Sequence, residues 1–440
     1  MLFTHLRTSL FILLCSAALV SAQDELHVIE HRNPALAPER ILLNITLDAA
    51  HHQTVTWRTE TPLSAASAQI AEATPHPDFS AHANTIAAKA SKFDVDNNHA
   101  VGEYAVTFSS LKPATRYAYR VGDGKNWSEW LEFRTADERP LPFRFLYLGD
   151  AQNAIRSQWS RVIRAAYAAA PDASFIVHAG DLVAEGYSDA LWSEWFDAQG
   201  FIPGMIPSFP VPGNHDHHRG PGIDEVYDTP TNWRAQFSLP HNGPASVPEL
   251  DQLTYYFDYQ GVRFIALDVN VYANESFRAS ERQRIGAAQA AWLDQVLRDN
   301  PNSWTIVVQH QPLFTVSKGR DYVEMRKILE PIFDKYHVDL VLEGHDHAYA
   351  RSYPLTDGKI VQPGKGTVYV ISVSGPKMYT DDANNRERYA VELRNTQLYQ
   401  IIDVSPEHLN YKAFDIEGKL IDTFTINHSD KEAIRQTPIR

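Results

Sequence analysis

Cysteine is nearly missing from this chain: Cys15 is the one thiol in 440 residues. It lies in the apolar run Leu10–Val20, between a start carrying the cation Arg7 and the small-residue end Val20-Ser21-Ala22. The run has 11 residues, too few to span a bilayer, and residues 1–22 read as a secretory signal peptide cut after Ala22. Cleavage would remove the only cysteine, which excludes a disulfide framework and thiolate chemistry even in a compartment that permits disulfides. Leu13 and Leu14 are too bulky for lipoprotein processing before Cys15, so no membrane anchor is expected after cleavage and the protein reads as secreted or periplasmic. A cytoplasmic chain with an apolar start is the alternative, because the n-region is only weakly positive. Positive charge is also short. Lys and Arg number 40 against 54 Asp and Glu, a net charge of −14, which argues against nucleic-acid binding by counterion release. G-x-S-x-G, H-E-x-x-H and the P-loop are missing: Ser372 stands where the first Gly before Ser374 would be, and Lys365 lies outside any phosphate-loop pattern. Neither an internal repeat nor a low-complexity segment is present. With 44% hydrophobic and 21% charged residues, the composition is that of a globular protein of two or three domains.

The pattern changes once along the chain. From residue 41 to 135, short alternating runs separated by turn signals such as Gly122-Asp123-Gly124 predict a small β-sandwich, with one of Tyr117 and Tyr119 in its core. The charged, Pro-rich stretch Ala136–Pro142 sets the boundary between an N-terminal domain (23–138) and a second domain (139–440). Beyond it, apolar strands (Phe143–Leu148, Ser174–Val177, Val262–Leu267, Trp304–Val308, Val338–Leu342) alternate with helical periodicity in Ile155–Ala170, Ala190–Phe196 and Met325–Tyr336. Ser280 and Gln283 have capping-box spacing ahead of a further helix. Such alternation predicts an α/β domain with a parallel or mixed sheet covered on both faces, and alternating runs from Gly366 to about Ile426 add β-strands at the end.

Five segments share one design, an apolar stretch ending in residues of metal-ligand type. They are FRFLYLGDAQ with Asp150, SFIVHAGDLV with Asp181, FPVPGNHDHH with Asn214 and His215, WTIVVQHQP with His310, and VDLVLEGHDH with His345 and His347. Ligands of open α/β sheets bind beyond the carboxyl ends of the strands, so all five segments can converge on one crevice. Carboxylate, amide and imidazole without thiolate suit Zn, Mn or Fe better than Ca. The donors exceed what one four-coordinate ion needs, which favours two metals sharing a bridge. Glycines at 149, 180, 213 and 344 precede the donors and would allow tight turns. Any one of these histidines alone reads more readily as structural; five ordered blocks do not.

The ordered blocks D-x-x, G-D, G-N-H-D, a later H and G-H-x-H resemble those of the calcineurin-like metallophosphoesterase superfamily. The N-terminal LKPATRYAYRVGDG is similar to a fibronectin type III strand pair, and the layout resembles the purple acid phosphatase branch. The resemblance implies a fibronectin III-like sandwich followed by a two-sheet α/β/β/α metallophosphoesterase domain. It also implies one metal held by Asp150 and His347, another by Asn214, His310 and His345, and Asp181 bridging them. His215 would be the general acid and Asp216 its orienting partner. The implied activity is hydrolysis of a small-molecule phosphate ester by a metal-activated water, monoesters ahead of diesters. A phosphodiesterase or nucleotide-directed hydrolase on the same site is one alternative, and a surface binding module with an inactive fold is another. Two positions depart from the pattern. Ala184 stands where the purple enzymes have a tyrosine ligand, unless Tyr187 is recruited. Gln152 stands where the superfamily often has histidine, as a weaker ligand to the first metal or a hydrogen-bond partner of its water. Beside these blocks, His217, His218 and Arg219 read as a polar loop, Arg351 as a brace and Lys377 as unassigned, and His51, His52, His76, His82 and His99 as surface residues.

Overall fold

A computed structural model describes residues 37–430 apart from 64, 96–98, 218–229, 274–277 and 380–384. The signal-peptide reading of residues 1–22 and the loop residues His218 and Arg219 lie outside the described residues. An N-terminal β domain precedes an α/β domain built on two sheets. In the α/β domain, Phe143–Leu148, Ile176–Ala179 and Ser208–Val211 run parallel, and Leu398–Val404, His408–Asp415 and Leu420–Asn427 extend the same sheet antiparallel. The second sheet has Val262–Leu267, Trp304–Gln309, Leu340–Glu343 and Val368–Ile371 in parallel, with Tyr255–Tyr259, Tyr349–Ser352 and Tyr389–Leu393 antiparallel at its margins.

The parallel strands of the second sheet are buried along their whole length, which is why they read as unbroken apolar runs. Successive side chains of a strand leave by opposite faces. Phe264 and Ala266 therefore join the core between the sheets with Phe145, Phe175 and Phe209, whereas Ile265 and Leu267 join an outer core with Leu293, Leu329 and Phe333. The latter come from the helices Ala279–Arg298 and Val323–Tyr336; Ser160–Ala169 and Asp189–Gln199 pack on the first sheet. The layers are thus α/β/β/α, with the parallel strands of both sheets ending at a common rim.

The N-terminal domain is not hung from its linker alone. Asn44 pairs with Ser208 in parallel register, so Glu39–Asn44, Gln53–Thr59, His99–Phe108 and Lys89–Val95 continue the first sheet. The second face of the sandwich is Asn84–Ala87, Ser67–Glu72, Arg116–Gly122 and Leu131–Arg134. Both Tyr117 and Tyr119 are buried, and Tyr119 donates its hydroxyl hydrogen bond across the domains to the Gly204 carbonyl at 2.7 Å. Two expectations need correction. Ser280 caps nothing: the helix starts at Ala279 after Arg278, without a side-chain cap. Asn84–Ala87 and Lys89–Val95 carry no buried residue, so no apolar alternation announced them.

Candidate metal centre

Each donor block leaves the end of a parallel strand within three residues: Asp150 after Leu148, Asp181 after Ala179, Asn214 after Val211, His310 after Gln309, and His345 after Glu343. Turning so soon requires unusual backbone. Asp150, Asp181, His345 and His347 all have left-handed φ, at 48°, 50°, 72° and 43°. Non-glycine residues adopt this region at a cost that the surrounding structure must offset, and such residues cluster at functional sites. Gly180 shares the left-handed geometry at φ 84°, but Gly213 is needed for closeness, since a Cβ there would overlap Asp181 Oδ1.

The turns bring two donor sets together, Asp150–Asp181–His347 and Asp181–His310–His345, and in each set the donor atoms lie within 4.8 Å of one another. Asp181 belongs to both. The imidazoles are anchored from behind. His310 Nδ1 donates to the Ala179 carbonyl at 2.8 Å and His347 Nδ1 to the Lys377 carbonyl at 2.9 Å, so each turns Nε2 inward. His345 is reversed: Nε2 meets the Tyr322 hydroxyl at 2.6 Å and Nδ1 faces His310 Nε2 at 3.2 Å. Outer partners of this kind fix the tautomer and orientation that metal-binding histidines need. Asn214 Oδ1 and Gln152 Oε1 are buried without a hydrogen-bond partner. Orphaned acceptors beside clustered carboxylates and imidazoles fit divalent or trivalent cations.

The electrostatics express the same shortage of positive charge. Burial, reinforced by Asp181, pushes the Asp150 carboxyl up to about 8, and burial beside Asp181 pushes Asp216 up to about 7. Burial would raise Asp181 too, but the imidazoles of His310 and His215 hold it below the usual carboxylate range. Burial would lower His310, yet the Asp181 carboxylate carries it up to about 9, while burial and Lys377 take His347 down to about 3.

His215 is half-buried at the rim; its N–H donates to Asp181 Oδ1 at 2.9 Å and its Nδ1 meets the Ala184 carbonyl at 2.7 Å. The expectation that Asp216 orients this imidazole is corrected. The Asp216 carboxylate accepts from the backbone N–H groups of Leu182, Val183 and Gly213, so it braces the two loops, and the Ala184 carbonyl receives the ring. Gln152 lies inside the cluster, with Nε2 2.8 Å from Asp181 Oδ2 and 3.1 Å from His347 Nε2. The polar-loop reading of His217 is also corrected: it is buried, with Nε2 2.8 Å from the buried Asp268 carboxylate. The reading of Arg351 as a brace of the ligand loop is corrected: it grips Asp422 on the strand Leu420–Asn427 at 2.6 and 3.0 Å and so ties the two sheets together. Tyr322, Arg320 and Tyr379 were not foreseen. The one signal for Arg320 and Tyr322 is position, in the loop after the His310 block; Tyr379, in the loop after Val368–Ile371, has none.

Known proteins resemble this chain in both of its domains. A family described as Calcineurin-like phosphoesterase matches residues 143–349, and one described as Purple acid Phosphatase, N-terminal domain, matches residues 38–135. An uncharacterized protein of Mycobacterium tuberculosis is 26% identical over 366 residues, covering 74% of this chain and 67% of its own length. Acid phosphatase type 7 of Danio rerio is 25% identical over 366 residues, covering 73% and 77%. Among solved structures, purple acid phosphatase PPD1 of yellow lupin (Lupinus luteus) superposes with a TM-score of 0.71 at 17% identity, over 92% of this chain and 77% of that one.

Proposed function

Since the chain carries a calcineurin-like phosphoesterase domain behind a purple acid phosphatase N-terminal domain, and is a metal-dependent phosphoester hydrolase, we propose the following division of labour within residues 139–440. Asp150, Asp181 and His347 hold one ion; Asp181, Asn214, His310 and His345 hold the other. The shared Asp181 is the observation that carries this reading, because it gives both donor sets a common carboxylate. Once bound, two ions from Fe, Zn or Mn supply the Lewis acidity that lowers the pKa of a water and offsets phosphoryl charge. Gln152 serves the first ion, through its orphaned Oε1 after an amide flip or through a hydrogen bond.

His215 is the general acid. Its Nδ1 is held by the Ala184 carbonyl, which orients the ring, and a proton from its other nitrogen would go to the departing alkoxide. Asp216 holds the loop bearing Ala184 and the loop bearing His215 in mutual register. Ala184 offers no phenolate, and the nearby phenol of Tyr322 is pushed up by burial, so it stays protonated against His345. With Tyr187 outside the donor set, the enzyme should therefore lack tyrosinate-to-iron colour. Residues 1–22 would export it, and small phosphomonoesters would be its substrates. Two donor sets that share Asp181, with departures only at Gln152 and Ala184, favour an enzyme over an inactive binding module.

Elemental analysis of the purified protein should find two ions per chain, and a chelator should remove them together with aryl phosphate hydrolysis; one ion or none removes the shared carboxylate from the mechanism. His215→Ala should keep both ions and lose about 10² to 10⁴ in turnover. Unchanged turnover on an alkyl ester would remove the acid role.

A further inference from the structure

The two histidines of the G-H-D-H block are braced by segments that bring cations of their own. His347 Nδ1 donates to the carbonyl of Lys377, and the carbonyl of His345 accepts from Arg320 Nη1 at 3.1 Å. Both cations flank one ring: the Tyr379 centroid is 4.9 Å from Arg320 Cζ and 5.8 Å from Lys377 Nζ. Arg320 Nη2 also donates to the Tyr379 hydroxyl at 3.1 Å, and the ring packs 4.7 Å from that of His347. Arg320, Tyr379 and Lys377 thus form a wall along the donor cluster. Arg320 is the mount, committed to the His345 carbonyl, to Asp346 and to the Tyr379 hydroxyl.

Lys377 differs. It is half-buried, and among the described residues its ammonium lies against the Tyr379 ring and no carboxylate pairs with it. Its backbone carbonyl holds His347 Nδ1, and its ammonium lies against the Tyr379 ring that packs on His347, in the half of the cluster where Gln152 replaces a histidine. A half-buried cation with no carboxylate partner among the described residues, on an acidic chain and beside a phosphoester site, is suited to an anionic oxygen of the substrate. A phosphomonoester dianion presents three terminal oxygens and one more negative charge than a diester, which has esterified that oxygen. We propose that Lys377, mounted on the Tyr379–Arg320 wall, binds a terminal phosphoryl oxygen and selects dianionic monoesters over diesters. This inference rests on the phosphoester-hydrolase reading of the same cluster.

The test compares kcat/KM of the metal-loaded full chain for 4-nitrophenyl phosphate and bis(4-nitrophenyl) phosphate. Lys377→Met should lower the monoester value roughly 10- to 100-fold, the loss expected for one hydrogen bond to a charged group, with the diester value nearly unchanged and two ions retained. Lys377→Arg should recover part of the loss. Equal losses on both substrates, or none on either, overturn the proposal. Should Lys377→Met misfold, Lys377→Arg and Lys377→Gln measured side by side carry the same test, since the monoester preference must fall with the charge. Calorimetric binding of inorganic phosphate needs no turnover and should weaken in parallel; unweakened binding overturns the role of Lys377. A parent protein that hydrolyses neither ester but binds phosphate through Lys377 sinks the hydrolase reading and leaves the anion site standing.

Discussion

Among the described residues, two of the buried clusters of charge are built on opposite rules. At the joint between domains, Arg58 is 1% exposed; its Nη1 donates to both oxygens of Asp189 at 2.8 and 3.0 Å, and its Nε donates to Glu39. Arg40 meets the same Asp189 carboxylate at 3.0 Å and also donates to Ser193 and Gln236. Donor forks face acceptors, as a buried ion pair requires if it is to recover its desolvation cost. At the candidate metal centre, acceptors outnumber donors: carboxylates and imidazoles converge, and two amide oxygens have no partner. Burial alone therefore says little about role. The direction of the protons separates a structural clasp from a binding site, and a cluster that cannot satisfy itself is one that needs a cation.

The largest effect expected from this contrast is at Asp181. Asp181→Ala should reduce the bound ions from two toward one or none and abolish phosphatase activity. In the metal-free protein it should cost less than a broken clasp, because loss of the buried ion pair with His310 is offset by relief of the crowding of Asp150 and Asp216 against a third carboxylate. Retention of two ions by elemental analysis would take the bridge out of the design, and a large fall in metal-free stability would erase the contrast between the clusters. At the joint the pattern should invert. Asp189→Ala leaves Arg58 and Arg40 buried without their main anion and should cost about 3–5 kcal/mol of unfolding free energy, read by urea titration, with both ions still bound. Loss of metal in that variant, or a cost well under about 1 kcal/mol, would show that the joint is not the clasp described.

Legibility in the sequence followed the same division. The donors stood out because a parallel strand buried on both faces reads as an apolar run, and a polar residue at its end interrupts it visibly; Asp150, Asp181, His310 and His345 are all of this kind. The layers followed from strand and helix alternation. What escaped was contact without period. Asp216 sits in the right block, but its backbone partners Leu182 and Val183 belong to a loop more than thirty residues away in sequence, where an orienting role for the imidazole seemed the natural reading. Tyr322 and Lys377 reach the site from loops that carry no motif. The linker Ala136–Pro142 marked a change of pattern, yet nothing near it announced that Asn44 would pair with Ser208 and run one sheet through both domains.

The smallest predicted effect probes the one member of the joint that breaks its rule. Glu103 lies opposite Arg58 in register, 5% exposed, and burial pushes its carboxyl up to about 8 although Arg40 and Arg58 oppose the shift. In the unfolded chain the same group titrates near the ordinary glutamate value of 4.5. Between these two values the folded state holds a proton that the unfolded state has released, so folding takes up a proton and stability falls as pH rises. The contribution is fully present below pH 4.5 and is lost as pH rises through about 8. Glu103→Gln keeps the side-chain shape and removes the titration. The stability of the variant relative to the parent should grow steadily from pH 5 to pH 8.5, as read from paired urea midpoints. A difference that stays flat across that range would mean that Glu103 is charged in the fold, and that the joint is as fully matched as Arg58 and Asp189 alone suggest.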